Sequence, residues 1–195
     1  MTGTAARMQR ERASAVGDER LIKQCLKGDQ QAWAALIEKY KNLIYSIPIK
    51  MGMYQDAGDI FQAVCVDLLT ELPKLREHRA LPKWLMQTGY HKCLHYQKNA
   101  SRHVELDPED AENQESDEAL PEHMLVELEK EQSVRDAIAE ISSRCQQMIR
   151  MLFFELPPRP YDEVAKELGL ATGSIGFIRG RCLTKLKKEL EKKGF

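Results

Sequence analysis

The stretch from Tyr161 to Leu186, YDEVAKELGLATGSIGFIRGRCLTKL, constrains what this chain can fold into more than any other. Counting Tyr161 as position one, Ala165 falls at five, Gly169 at nine and Ile175 at fifteen. Two short helices that cross closely need a small residue at five. The turn between them needs positive φ at nine, which a residue without Cβ adopts at little cost. A branched apolar residue at fifteen locks the second helix onto the first. Val164, Leu168, Leu170 and Ile178 extend the apolar seam at spacings of three and four. The stretch therefore reads as a helix-turn-helix. Thr172 or Ser174 stands where it can cap the second helix. Arg179, Arg181, Lys185, Lys187 and Lys188 make its later turns basic. An ordinary packed helical hairpin is the alternative this stretch leaves open.

Elsewhere, segments with the helical apolar period outnumber alternating ones, and glycine and proline are sparse. The expected fold class is all-α, with two small helical domains joined by a flexible acidic linker. A formal net charge of −1 hides this arrangement. Residues 1–102 carry 16 Lys and Arg against 10 Asp and Glu; residues 103–131 carry 1 against 12; residues 132–195 carry 12 against 8. Two basic lobes thus flank an acidic connector, and a basic lobe binds polyanions by releasing their counterions.

In chain order, residues 1–18 show no apolar period and are expected to be a disordered tail. The first lobe, residues 19–102, opens with a helix from Glu19 to Leu26. Gly28-Asp29 then breaks the chain and caps a helix whose apolar face is Trp33, Leu36, Ile37, Tyr40, Leu43, Ile44 and Ile47. Pro48, Gly52 and Gly58 bracket a loop. A third helix, Asp56 to Leu72, carries Ile60, Val64, Leu68 and Leu72 on one side. A connector from Pro73 to Pro82 leads to a basic helix, Lys83 to Arg102. The linker, residues 103–124, is acidic and broken by Pro108 and Pro121, so it offers nothing to bury. The second lobe, residues 125–195, begins with a helix from Leu125 to Ala139. Another follows, Ser142 to Glu155, with Cys145, Met148, Ile149, Leu152 and Phe153 facing inward.

Cys25, Cys65, Cys93, Cys145 and Cys182 form no C-x-x-C pair and lie among apolar neighbours, which suggests reduced thiols in a cytoplasmic protein. No leader peptide or apolar run of spanning length stands in the sequence, so no membrane insertion is expected. His91, Cys93 and His95 do not share one helix face and lack a fourth ligand, so no metal is expected. Nor does a Gly-rich phosphate loop, a catalytic carboxylate pair or a nucleophile motif stand out, so neither a cofactor nor an enzymatic activity is expected.

Several motifs, taken in order and with their spacing, carry a likeness. They are Gly-Asp-x-x-Ala-Trp-x-x-Leu (Gly28 to Leu36), Asp-Ile-Phe-Gln (Asp59 to Gln62) and Trp-Leu ahead of a basic helix (Trp84 onward). In the second lobe they are Leu-Phe-Phe-Glu-x-Pro-Pro (Leu152 to Pro158), Tyr-x-Glu-Val-Ala (Tyr161 to Ala165) and Gly-Ser-Ile-Gly-x-x-Arg-x-Arg-Cys-Leu (Gly173 to Leu183). In this order they resemble a bacterial sigma factor of the two-domain, extracytoplasmic-function class. The likeness covers about residues 20–100 and 132–190.

That resemblance implies a specificity subunit rather than an enzyme. Residues 19–102 would be sigma domain 2, docking on the clamp helices of the largest subunit of core RNA polymerase and opening the promoter near minus ten. Residues 125–195 would be sigma domain 4, binding the minus-thirty-five duplex and resting on the flap of the second-largest subunit. Tethering makes the second contact effectively intramolecular. The implied polymerase-binding residues are Asp59, Gln62, Val66 and Asp67. The implied minus-ten surface, for double- and single-stranded DNA, is Arg76, His78, Arg79, Lys83, Trp84, His91, Lys92, His95, Lys98 and Arg102. Of these, Trp84 is read first as a core anchor. The implied minus-thirty-five residues are Thr172, Ser174, Gly176, Phe177, Arg179, Arg181 and Lys185. Gly176, Phe177 and Ile178 stand where basic or serine residues are more usual. An anti-sigma factor is a further partner that the resemblance would allow.

Two rivals stay open on the residues alone. One is a stand-alone helix-turn-helix regulator with a ligand-sensing N-terminal domain; the other is an adaptor that binds polymerase or an anti-sigma factor without starting transcripts. The linker leaves three readings open: its carboxylates, Asp107, Glu109, Asp110 and Glu112 among them, lie against the basic lobes in the free protein, thread the polymerase channel as a nucleic-acid mimic, or belong to a plain solvated tether.

Overall fold

The computed structural model describes residues 18–102 and 118–194, and every regular element among them is helical. The expectation of an all-α chain is borne out. The tail, and Asp107, Glu109, Asp110 and Glu112 of the linker, lie outside the described residues. The chain forms two compact units, dividing between Glu131 and Gln132.

The first unit is built on α1 (Asp18–Cys25), α2 (Gln30–Lys50), α3 (Ala57–Glu71) and α4 (Leu81–Arg102). Asp29 caps α2 as expected: its Oδ1 accepts from the N–H of Gln31 at 2.8 Å and of Ala32 at 3.2 Å. Such a cap contributes about 1 kcal/mol. Leu36, Leu43, Ile44 and Ile47 of α2 interleave with Ile60, Val64 and Leu68 of α3 and Leu85 and Cys93 of α4. Gly89 sets the approach of α4 to α2, because a Cβ there would lie 2.7 Å from Ile47 Cδ1. Pro48 does not end α2 as the sequence suggested. It falls in the last turn, so its missing N–H removes a single hydrogen bond, and its buried ring joins the apolar face. The Pro73–Pro82 connector is tighter than a loop, with short 3₁₀ turns at Leu72–Lys74 and His78–Ala80.

Helix α5 (Glu122–Glu140) carries the division between the units. The sequence reading starts the second lobe at residue 125, whereas the compact unit starts at 132. The difference has two causes. Leu120 and Leu128 are buried in the first unit's core, and Lys50 of α2 pairs with Glu127 at 3.0 Å and Glu131 at 2.8 Å.

The second unit comprises α6 (Ser143–Ile149), a π turn (Arg150–Phe154), α7 (Tyr161–Leu168), a 3₁₀ turn (Thr172–Ser174) and α8 (Ile175–Lys192). Gly169 ends α7 at φ 62°, ψ 43°. The next amide, Leu170 N–H, returns to Ala165 C=O at 2.8 Å. Val164, Ala165, Leu168 and Ile175 are buried together. The helix-turn-helix geometry is thus present in full.

Three expectations are corrected here. Ser174 does not cap α8 with its side chain; its hydroxyl donates to Ala171 C=O at 2.6 Å, closing the 3₁₀ turn instead. Phe153 does not face inward. The π turn shifts the helical phase, leaving Phe153, Phe154 and Leu156 exposed. The cysteines are not all thiols: Cys145 of α6 and Cys182 of α8 form a disulfide with their Cα atoms 5.3 Å apart. Cys25, Cys65 and Cys93 are free. Burial pushes the Cys25 thiol up to about 11 and Cys93 to about 12, so both remain protonated.

Candidate functional site

Three surfaces carry the residues singled out from the sequence. On α3, Asp59, Gln62 and Val66 are exposed at steps of three and four, so they share one face. Leu69 continues that face; Val66 and Leu69 are 59% and 53% exposed. Sequence reasoning missed Leu69, although its step of three from Val66 would have found it. Large apolar side chains left open beside a carboxylate and an amide suit a specific contact. Asp67 does not join them. Its Oδ2 pairs with Lys92 of α4 at 2.7 Å, both side chains about two-thirds buried. A residue assigned to polymerase and one assigned to DNA therefore bind each other and tie α3 to α4.

The second surface follows the connector and α4. Arg76, Arg79, Lys83, His95 and Lys98 are exposed, while His78 is half-buried. Trp84 packs partly buried against the core, in keeping with its reading as an anchor. The side chain of Arg102 lies outside the described ones. His91 is covered from an unexpected quarter: its Nε2 lies 2.7 Å from Gln87 Nε2 and 3.1 Å from Glu118 C=O. Leu120 N–H donates to Gln87 Oε1 at 3.2 Å. The end of the linker thus rests on the His91 turn. Among the described residues no cluster able to hold a metal ion is present; Cys93, between the two histidines, points into the core.

The third surface is α8. Thr172, Gly176, Phe177, Arg181 and Lys185 are exposed; Ser174 and Arg179 are half-buried. Arg179 Nη1 donates to Tyr161 Oη at 2.6 Å, with the guanidinium 5.9 Å from that ring. Tyr161, at position one of the motif, therefore positions a cation on the second helix, a role its spacing did not disclose. Arg181 lies 5.7 Å over the ring of Phe177, one turn earlier. Gly176 and Gly180 share this face, and a Cβ on either would meet nothing within 4 Å.

Packing does not account for glycine at 180, because the space is open. Gly180→Ala is expected to stabilise the second unit by about 1 kcal/mol, the usual helix-interior difference. Denaturant unfolding of the full chain followed by far-ultraviolet circular dichroism would measure it, and a loss of stability would contradict the open-space geometry.

No family model matches the sequence. Its likeness to individual proteins is nevertheless extensive. It is 24% identical over 178 residues to ECF RNA polymerase sigma factor SigW of Bacillus subtilis, covering 87% of this chain and 94% of that one. It is 25% identical over 166 residues to ECF RNA polymerase sigma-E factor of Escherichia coli, covering 81% and 86%. With ECF RNA polymerase sigma factor SigD of Mycobacterium bovis the figures are 23% over 189 residues, covering 94% and 86%. Among solved structures, CnrH in complex with the cytosolic domain of CnrY aligns with 90% of this chain and 97% of that one, at a TM-score of 0.36 and 19% identity. The resemblance carried by the motifs is therefore one of most of the sequence: this chain is similar to extracytoplasmic-function sigma factors over 81–94% of its length.

Proposed function

We propose that this chain is a sigma factor that joins core RNA polymerase and directs initiation at promoters recognised in two places. The sequence relatives support a sigma-factor role in transcription initiation. The observation that carries the DNA half of the reading is α8. A helix locked by Ile175 and the Gly169 turn presents Phe177, Arg181 and Lys185 to solvent. A second helix so held fits the major groove, with cations placed for phosphate and base edges.

In the same reading, Asp59, Gln62 and Val66, with Leu69 beside them, meet the clamp helices of the largest subunit. The second unit rests on the flap of the second-largest subunit. Arg76, Arg79, Lys83, His95 and Lys98 face the minus-ten region, with His78 and His91 at the edge of that surface. Asp67 and Lys92 fix the two helices that carry these groups. Glu118 and Leu120 must leave the His91 turn before DNA can reach it.

Capture of core RNA polymerase on the immobilised full chain, followed by run-off transcription, tests the whole proposal. Specific transcripts support it. A stand-alone regulator would start none without another sigma factor, and an adaptor would bind polymerase yet start none. Within the proposal, Arg181→Ala is expected to weaken binding to selected promoter duplex by about 1–3 kcal/mol. Fluorescence anisotropy would read this, and unchanged affinity would remove Arg181 from the contact.

A further inference from the structure

Phe177 is the least comfortable side chain on α8. It stands 71% exposed in the first turn of the helix, on the outward face and away from the buried seam of Ile175 and Cys182. Exposed phenylalanine on a helix next to glycine adds nothing to folding, because neither neighbour shields the ring. Against it stands Arg181, whose guanidinium lies 5.7 Å over the ring. Stacking of this kind holds a planar fork of donors in one orientation, so less rotamer freedom is lost when the fork finds acceptors. The two side chains therefore form one unit, an apolar edge followed along the helix by a directed pair of N–H donors.

Major-groove edges offer a matching pattern. Thymine is the base that presents a methyl group there, and guanine presents two acceptors, O6 and N7, spaced for a guanidinium. We propose that Phe177 and Arg181 together read a thymine–guanine doublet, the Phe177 ring against the thymine 5-methyl group and Arg181 bidentate on the adjoining guanine. This rests on the reading above that α8 enters the groove, and it names the sequence that α8 selects. Phe177 is then a specificity-determining residue, and the absence of the more usual polar side chains at 176 and 177 is a change of code rather than a loss of readout. Gly176 and Gly180 leave the helix backbone open on the same face, so nothing holds the ring away from the base edges.

The test uses the full chain mixed with core RNA polymerase and a pool of randomised duplexes. Bound duplexes are sequenced, and each enriched thymine is then replaced singly by deoxyuridine, which removes the methyl group and no hydrogen-bonding atom. For the unaltered chain, one such replacement, beside an enriched guanine, is expected to weaken binding about fourfold, the worth of one buried methyl group. Phe177→Ala should bind the thymine duplex at least as weakly as the unaltered chain binds the deoxyuridine duplex, since it also frees the Arg181 guanidinium, and should no longer distinguish the two. The loss should fall on the selected duplexes, and the slope of affinity against salt should be kept, because the cations that meet phosphate remain. Phe177→Leu, which keeps an apolar edge, should retain part of the discrimination. An equal deoxyuridine effect in the unaltered chain and Phe177→Ala overturns the inference, as does enrichment of sites with no thymine–guanine doublet. Either result leaves promoter binding itself standing. Failure to enrich any duplex would overturn the groove reading and this inference with it.

Discussion

Replacing Ile175 by alanine is expected to destabilise the second unit by about 2–5 kcal/mol, enough to unfold much of it at ordinary temperature. Ile175 is fully buried in the cluster of Met148, Ile149, Val164, Ala165 and Leu168. It stands at the first residue of α8, so its side chain fixes where that helix begins against α7. Removing its outer carbons loses transfer free energy and leaves a void that Ala165, already minimal in size, cannot fill. A helix-turn-helix tolerates change on its outer face far better than at this joint. The measurement can be made specific to the unit. Trp33 and Trp84 both pack in the first unit, so tryptophan emission should follow an unaltered transition there. Hydrogen exchange at the amides of Val164 to Leu168 should quicken by the same free energy. A loss under about 1 kcal/mol would mean that Ile175 is not the lock between the two helices.

How far these features could be read from residues alone depends on whether they are local. Gly169 was legible because a turn with positive φ leaves few choices of residue. Ala165 and Ile175 follow from the close crossing on either side of that turn. Asp29 was equally plain, since a carboxylate before an apolar-periodic run has two free N–H groups to accept from. The amphipathic faces of α2 and α3 show the same period in sequence and in burial. Features set by distant packing were not legible. Phe153 follows the inward pattern of α6 until the π turn adds a residue, and a period count contains no sign of that. Pro48 breaks a helix on local grounds, yet its place in the last turn makes the break inexpensive. Asp67 and Lys92 lie 25 residues apart, and either alone reads as a solvated charge. The boundary at 131 had the same cause. Leu128 and the Glu127 and Glu131 carboxylates look like the start of a new helix, and only the fold supplies Lys50 and the core they meet. At the candidate sites, residue type was readable and commitment was not. Arg179 and Arg181 are alike in sequence, but one is held by Tyr161 and the other lies over Phe177.

Reduction of the Cys145–Cys182 bond is expected to lower the stability of the second unit by about 4 kcal/mol, the loop-closure value for a span of this length. The two residues are 37 apart in sequence, and the loop they close contains the π turn, α7, the turn at Gly169 and the first half of α8. Cross-linking its ends removes from the unfolded chain much of the freedom that the folded helix-turn-helix must give up. Both residues are buried among Met148, Ile149 and Ile175, so reductant reaches the bond only when α6 and α8 part. Reduction should therefore be slow under native conditions and fast in denaturant. Cys182 immediately follows Arg181, so the bond anchors the helix at the point where the proposed base contact leaves it. Alkylation in denaturant followed by intact-mass measurement gives the state directly. Oxidised protein should take up three alkyl groups, at Cys25, Cys65 and Cys93, and reduced protein five. Urea unfolding of the oxidised chain, the reduced chain and a Cys145→Ala/Cys182→Ala variant then gives the energetic term. The oxidised form should have the higher midpoint, and the variant should be indifferent to reductant. Five alkyl groups on protein never exposed to reductant would show that α6 and α8 are held by apolar packing alone.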